Sequence, residues 1–220
     1  MTRVLLICSN LVVDRFYPAT RRLKEIVDSG ELGTLTKIEA TLAVPSGFIK
    51  DSDIRMVYDL GGGCMMDMGC ESDSSLLEPN FPASLTRNLT GYTLSASRYL
   101  SGADPTKIIT ARAETSPKFP QIDIGTTATL AFPTPGGSTG PADGLTAALN
   151  AHFRLPRYLG ILPRLPNMAV RATGTRGTVE LSCIVGPWFY HSITVESSEQ
   201  EGGPLRKRTE KQYGNLGWST

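Results

Sequence analysis

One acid and one phenol carry the chemistry that stands out in this sequence. Asp67 lies in Asp59-Leu-Gly-Gly-Gly-Cys-Met-Met-Asp-Met-Gly-Cys70, just after three consecutive glycines and inside a short apolar run. A carboxylate in such company is costly to bury unless it is paired or works on a substrate. The glycines allow a tight turn or a close backbone approach to another group. Tyr92 arrives only after residues 71–91, a stretch with Pro79, Pro82, Asn80, Asn88, several serines and no sustained period. With that stretch set aside, Tyr92 follows Cys70 directly, and Asp67 and Tyr92 stand four positions apart on one helical face. Such a pair can work on an alcohol: the tyrosine shuttles the hydroxyl proton while the carboxylate orients the substrate. The same residues also suit a core helix with a capped acid and a buried tyrosine.

The elements that must position this pair follow from periodicity. Residues 18–29 read as a helix with Ala19, Leu23, Ile26 and Val27 on one face, Pro18 at its start and Gly30 at its stop. Residues 35–44 read as a strand that places Ile38, Ala40, Leu42 and Val44 on one side, and 48–60 as a charged loop leading into the glycines. Residues 64–70 and 92–100 look helical. Strands follow at 107–114, 127–132, 145–155, 168–173, 177–181, 192–196 and 206–212, with a hairpin signal at Gly174-Thr-Arg176 and a Pro/Gly-rich loop at 133–144. The pattern predicts one α+β domain, a mostly antiparallel open sheet with helices on one face.

Composition narrows the classes. Lys and Arg number 22 against 21 Asp and Glu, which gives no electrostatic case for nucleic acid or an anionic membrane. Cys8, Cys64, Cys70 and Cys183 form no metal-type spacing with His152 or His191, so no metal site is expected, and free thiols in a reducing compartment are. The apolar run near Met1 is too short for a signal core or a membrane span, and a cytoplasmic protein is expected. His191 reads as a satisfied sheet residue. Trp188 and Phe189 are expected to pack on a sheet or interface. Arg206-Lys-Arg208 reads as a charged edge strand, and Arg154, Arg157 and Arg164 as an exposed connection.

Several ordered motifs resemble the Gfo/Idh/MocA oxidoreductases: Tyr17-Pro-Ala-Thr-Arg-Arg-Leu-Lys-Glu-Ile-Val-Asp-Ser-Gly-Glu-Leu-Gly33, the Asp59 to Cys70 block, Gly174-Thr-Arg-Gly-Thr-Val-Glu-Leu181 and Tyr190-His-Ser-Ile-Thr194. The branch resembled is that of dimeric dihydrodiol dehydrogenases and NADP-dependent D-xylose 1-dehydrogenases. The resemblance implies that Asp67 and Tyr92 match the family's catalytic Asp-x-x-x-Tyr positions. It implies a sugar, polyol or diol substrate, NADP(H) or NAD(H) as coenzyme, and a sheet that binds substrate and pairs two copies.

The sequence departs from that family in places. No G-x-G-x-x-G occurs, so the Rossmann domain is absent from the chain, and the family's Glu-Lys-Pro motif is missing. The domain is expected over 16–220, interrupted by 71–91 and cut short at its end, with 1–15 unmatched. Residues 1–14 and 71–91 are expected to be translated intron or gene-model remnants, the competing reading of 71–91 being a surface loop that leaves the helix ends close together. A helix that normally docks beside the missing half is expected to leave its apolar face exposed. Two functions follow: a dehydrogenase that is inactive without a coenzyme-binding half, or a non-catalytic interaction or dimerisation module.

Overall fold

The computed structural model describes residues 17–64, 92–133, 144–155, 157–159, 161–162, 164–187 and 189–213. The expected helix at 64–70 and the 71–91 and 1–15 segments fall, beyond Cys64, outside the described residues.

Helix α1 (Pro18–Asp28) starts on Pro18 and stops where Ser29 caps back to the Glu25 carbonyl, with Gly30 next at φ 75°. A second helix, α2 (Tyr92–Ser101), is rich in serine, and Ser97 turns its hydroxyl onto the Thr93 carbonyl at 2.9 Å. The strands are β1 (Leu35–Pro45), β2 (Lys107–Thr115), β3 (Asp123–Ala131), β4 (Thr146–Leu155), β5 (Asn167–Gly174), β6 (Gly177–Ser182), β7 (Ser192–Ser197) and β8 (Arg206–Glu210). They form one open sheet in the order β2-β3-β4-β1-β5-β6-β7-β8, antiparallel throughout except for the parallel pair β1–β4. The expected α+β architecture is observed.

Register carries the core. Leu130, Ala147, Ile38, Ala172, Val179 and Val195 oppose one another in a row across the sheet, and Ala128, Leu149, Ala40, Val170, Leu181 and Ile193 form a second row. Both rows lie in the core cluster beneath α1 and α2. Ala19, Leu23 and Ile26 of α1 are buried in the same cluster, so the apolar face of that helix is not left exposed as the sequence suggested. The sheet itself is wide enough to cover it.

The apolar rows run out at β7. On β8 their places are taken by Arg208 and Glu210, opposite Val195 and Ile193. These two charges are met from above by Arg22 of α1 and by Glu31: Arg22 Nε donates to Glu210 at 2.9 Å, Arg208 Nε to Glu210 at 2.8 Å, and Arg208 also pairs with Glu31. Inward charges on an edge strand discourage further strand addition. The opposite edge, β2, carries a register irregularity between Ile108 and Thr110 that serves the same end.

Strand β3 begins earlier than periodicity suggests, at Asp123, because the extension runs through Gly125, over which the His152 ring is packed. Phe189 is mostly exposed rather than packed on the sheet. It lies in the connection between β6 and β7, past the point where Cys183 takes a φ of 56° and the chain leaves the sheet. Trp188 is outside the described residues.

Candidate active site

Tyr92 is the first residue of α2. The last turn of that helix, Leu100 and Ser101, shares a groove with Leu35 at the start of β1. The helix therefore runs back along β1, and Tyr92 opens it on the side of the carboxyl ends of β1 and β4. In an open sheet, that side of a parallel pair is where ligand crevices form. The residues that follow, Thr93 to Ser97, are buried, whereas Tyr92 is 37% exposed. Asp67 lies outside the described residues, and its pairing with Tyr92 stays an expectation.

The glycine triplet lies on this same side, and each glycine answers a separate demand. Gly61 takes a φ of 78° to end the single-turn helix Tyr58–Leu60. Gly62 is wedged against its own loop: an added Cβ would stand 2.7 Å from the Arg55 and Val57 carbonyl oxygens. Gly63 has a φ of 139°, and a Cβ there would run into Asp123 Oδ1. Backbone bonds of 2.9 Å from Gly62 N–H to Val57 O and from Gly63 N–H to Arg55 O close the turn. It delivers Cys64, fully buried, into a second core cluster with Val44, Ile122, Ile124 and Phe153. The triplet is thus spent on packing and does not present its amides to a ligand.

Beside it, Asp51 joins three distant segments. Its carboxylate accepts from Lys118 Nζ at 2.9 Å and from the Arg154 guanidinium, and these bonds, Lys118 first, hold its pKa below the ordinary aspartate value. Arg154 is therefore a paired residue within β4 rather than part of the exposed connection expected from the sequence. Nothing in sequence spacing signals this cluster, because its members come from the loops after β1 and β2 and from the end of β4. Within the loop, Asp53 is lowered chiefly by the Arg55 backbone N–H that it caps. On the open face, His152 Nε2 approaches Glu114 at 3.4 Å while its Nδ1 accepts the Arg154 amide at 2.9 Å.

His191 is fully buried, and both its nitrogens are used. Nδ1 bonds the Pro187 carbonyl at 2.6 Å and Nε2 accepts the Gln212 amide at 2.7 Å, with the Tyr213 ring 4.5 Å away. It fastens the segment after β8 to the sheet and has no nitrogen left for acid–base work, as expected. The basic run likewise proves to be an edge strand. Lys207 bonds Glu196 at 2.7 Å and Arg206 meets Glu199 at 3.1 Å. Among the described residues no three His, Cys, Asp or Glu side chains are grouped to hold a metal ion. No helix among them is long and apolar enough to cross a membrane. Two grooves among the described residues, of about 460 and 570 Å³, lie against Arg208 and against Gly33.

Comparison with known proteins agrees with this geometry. The GFO/IDH/MocA C-terminal domain model matches residues 20–70. No curated protein matches. An aldose-aldose oxidoreductase from Caulobacter crescentus, crystallised with glycerol, superposes with a TM-score of 0.60 at 20% identity, covering 90% of this chain and 46% of that one. A 3-ketoreductase from Actinomadura kijaniata, in complex with TDP-benzene and NADP, gives 0.62 at 16% identity, with 91% and 48% covered. An oxidoreductase domain protein from Kribbella flavida gives 0.59 at 12%, with 93% and 48% covered. At such identities the likeness is one of fold. The fold is that of the Gfo/Idh/MocA C-terminal domain, and the chain spans a little under half the length of these solved chains.

Proposed function

We propose that this chain is the alcohol-gripping half of a nicotinamide-dependent oxidoreductase that acts on a secondary hydroxyl of a small sugar, polyol or diol. The observation that carries this is Tyr92: a partly exposed tyrosine at the start of a helix whose next five residues are buried, in a fold shared with oxidoreductases. Tyr92 exchanges the proton of the substrate oxygen, and Asp67 orients the hydroxyl through an acceptor oxygen. The described residues do not suit the coenzyme. The glycine turn is occupied by Arg55, Val57 and Asp123. The coenzyme, NADP(H) or NAD(H), would be held by a nucleotide-binding half outside the described residues. Exposed apolar side chains on the same side, among them Phe48, Leu60, Leu159, Ile161 and Phe189, suit contact with such a half.

Titration of a small sugar or polyol into the full chain, followed by isothermal calorimetry, tests the assignment without the coenzyme-binding half. Saturable binding that weakens in Tyr92→Phe supports it. A flat trace favours the second reading, a non-catalytic dimerisation module. That reading is supported by the open face of the sheet, where Thr129, Ala148, Glu39, Arg171, Glu180 and Thr194 lie in one row of small and charge-paired residues.

A further inference from the structure

Arg176 sits at the tip of the β5–β6 hairpin with its backbone fully engaged. Its amide donates to the Leu32 carbonyl at 2.8 Å, and its carbonyl accepts the Ser198 amide at 2.9 Å. Its guanidinium donates to the Gly30 carbonyl and meets no carboxylate. Among the described residues it is the one half-buried Lys or Arg without an acid partner. Arg22, Lys24, Arg55, Arg98, Arg154 and Arg208 each have one. A single carbonyl leaves most of the five N–H donors of a guanidinium unspent, and a cation drawn out of water without a counter-charge is costly.

The groove of about 460 Å³ beside it is lined by Arg176, Ser198 and Arg206. Ser198 is 9% exposed; its oxygen accepts the Gln200 amide at 3.4 Å, and its own hydrogen finds no acceptor among the described residues. Arg206 meets only Glu199, at 3.1 Å, and both side chains are largely in water, so that pair yields readily to a better acceptor. The other charges of the groove are cancelled within the protein. Lys207 is met by Glu196, and Arg208 by Glu31 and Glu210, while Glu31 also accepts the Ser197 hydroxyl at 2.6 Å. Beyond Arg176, the neighbouring groove holds Asp28, which is bonded to Lys24, and Glu201, which makes no ion pair with Arg176. What remains is one fixed cation, one exchangeable cation and one hydroxyl donor along a common groove, with no acceptor in surplus.

We propose that this groove binds a phosphate-type oxyanion. Two guanidinium forks and a hydroxyl match the several acceptor oxygens of phosphate, which arginine can hold bidentately. The site lies where β1 begins and β5 turns into β6, at the opposite end of the sheet from Tyr92, and β1 alone spans about 35 Å. It is therefore separate from the reaction proposed above, and its test does not depend on that reaction. Free phosphate and a small phosphate ester share the chemistry it recognises.

Equilibrium dialysis of radiolabelled inorganic phosphate against the full chain, at constant ionic strength set with chloride, tests the site. Saturable binding with a Kd below about 10 mM is expected. Arg176→Gln is expected to weaken it at least about tenfold, and Arg206→Gln about threefold. Glu199→Gln frees Arg206 from its acid and is expected to tighten binding about threefold, a gain that damaged folding cannot imitate. Lys118→Gln removes an equal charge at the other end of the sheet and is expected to stay within about twofold of wild type. If Arg176→Gln does not fold, Arg176→Lys keeps the charge without the fork and is expected to weaken binding about threefold. Competition separates the two sources: a hexose phosphate that displaces the label more tightly than unlabelled phosphate assigns the groove to an ester, and equal displacement assigns it to free phosphate. Absence of saturable binding in wild type overturns the site, as does equal weakening by Arg176→Gln and Lys118→Gln. Displacement by NADP but not by NAD would give the groove to the coenzyme and overturn an independent anion site.

Discussion

At the scale of single residues, the acid and the glycines that draw attention in the sequence have different fates. Asp67 keeps its role as an expectation, while the triplet is explained by contacts. On the proposed function, and with a coenzyme-binding half supplied, Tyr92→Phe is expected to lower turnover by about two orders of magnitude through loss of the proton donor, with little change in melting temperature. A variant that retains near-wild-type turnover would remove Tyr92 from the chemistry. For Gly62→Ala we expect a loss of about 2 kcal/mol in denaturant unfolding, because the new methyl meets three backbone atoms at 2.7 to 2.8 Å, none of which can move cheaply. The sequence marks these glycines as special but not why. Gly61 and Gly62 answer to Arg55, Val57 and Tyr58 in their own loop, whereas Asp123, which meets Gly63, arrives from an element far along the chain.

At the scale of elements, the charged chain from α1 to β8 makes the clearest prediction. Glu210 accepts from Arg22 and from Arg208, and these bonds hold its carboxyl at about 2 against an ordinary 4.5, while Glu31 is lowered chiefly by Arg208. The guanidinium of Arg208 is in turn raised, first by Glu31 and then by Glu210. A depressed carboxyl contributes stability that is complete above its unfolded value and lost as the pH falls through its folded value. Glu210→Gln should therefore cost about 1 kcal/mol near neutrality, after discounting for partial exposure of the network. Unfolding titrations from pH 6 down to pH 2 should show the gap to wild type narrowing below about pH 4.5 and closing near pH 2. A gap that stays constant would mean the ion pairs contribute nothing. In the same layer, Leu23→Ala should cost about 2–4 kcal/mol, because that side chain is fully buried between α1 and the sheet.

At the scale of the whole molecule, the eight-stranded sheet has both helices on one face, and among the described residues no helix lies on the other. Eight strands about 4.8 Å apart with about four outward residues each give that face roughly 1,000 Å², enough for the ~800 Å² per partner of a stable pair. Pairing of two copies through it predicts that Thr41→Arg, at the centre of β1, converts a dimer to a monomer in sedimentation velocity without lowering the melting temperature. A wild-type monomer at tens of micromolar would exclude this interface. The order of strands also places the loops after β1, β2 and β4 on one side, which is how Asp51, Lys118 and Arg154 come together.

Local pattern determined much of this molecule by itself. Helix α1, strand β1, the Thr175–Arg176 hairpin and the alternating strands of the second half were legible because burial on one face imposes a period that neighbours in the chain share. The charged edge strand and the satisfied His191 were legible for the same reason of context. Tertiary structure alone decided the parallel β1–β4 pair, the burial of α1 on the sheet, the ionic closure of β8, and the seating of Gly63 against Asp123. These depend on which distant segments become neighbours. That choice is made by the register of whole strands, and no window of local sequence contains it.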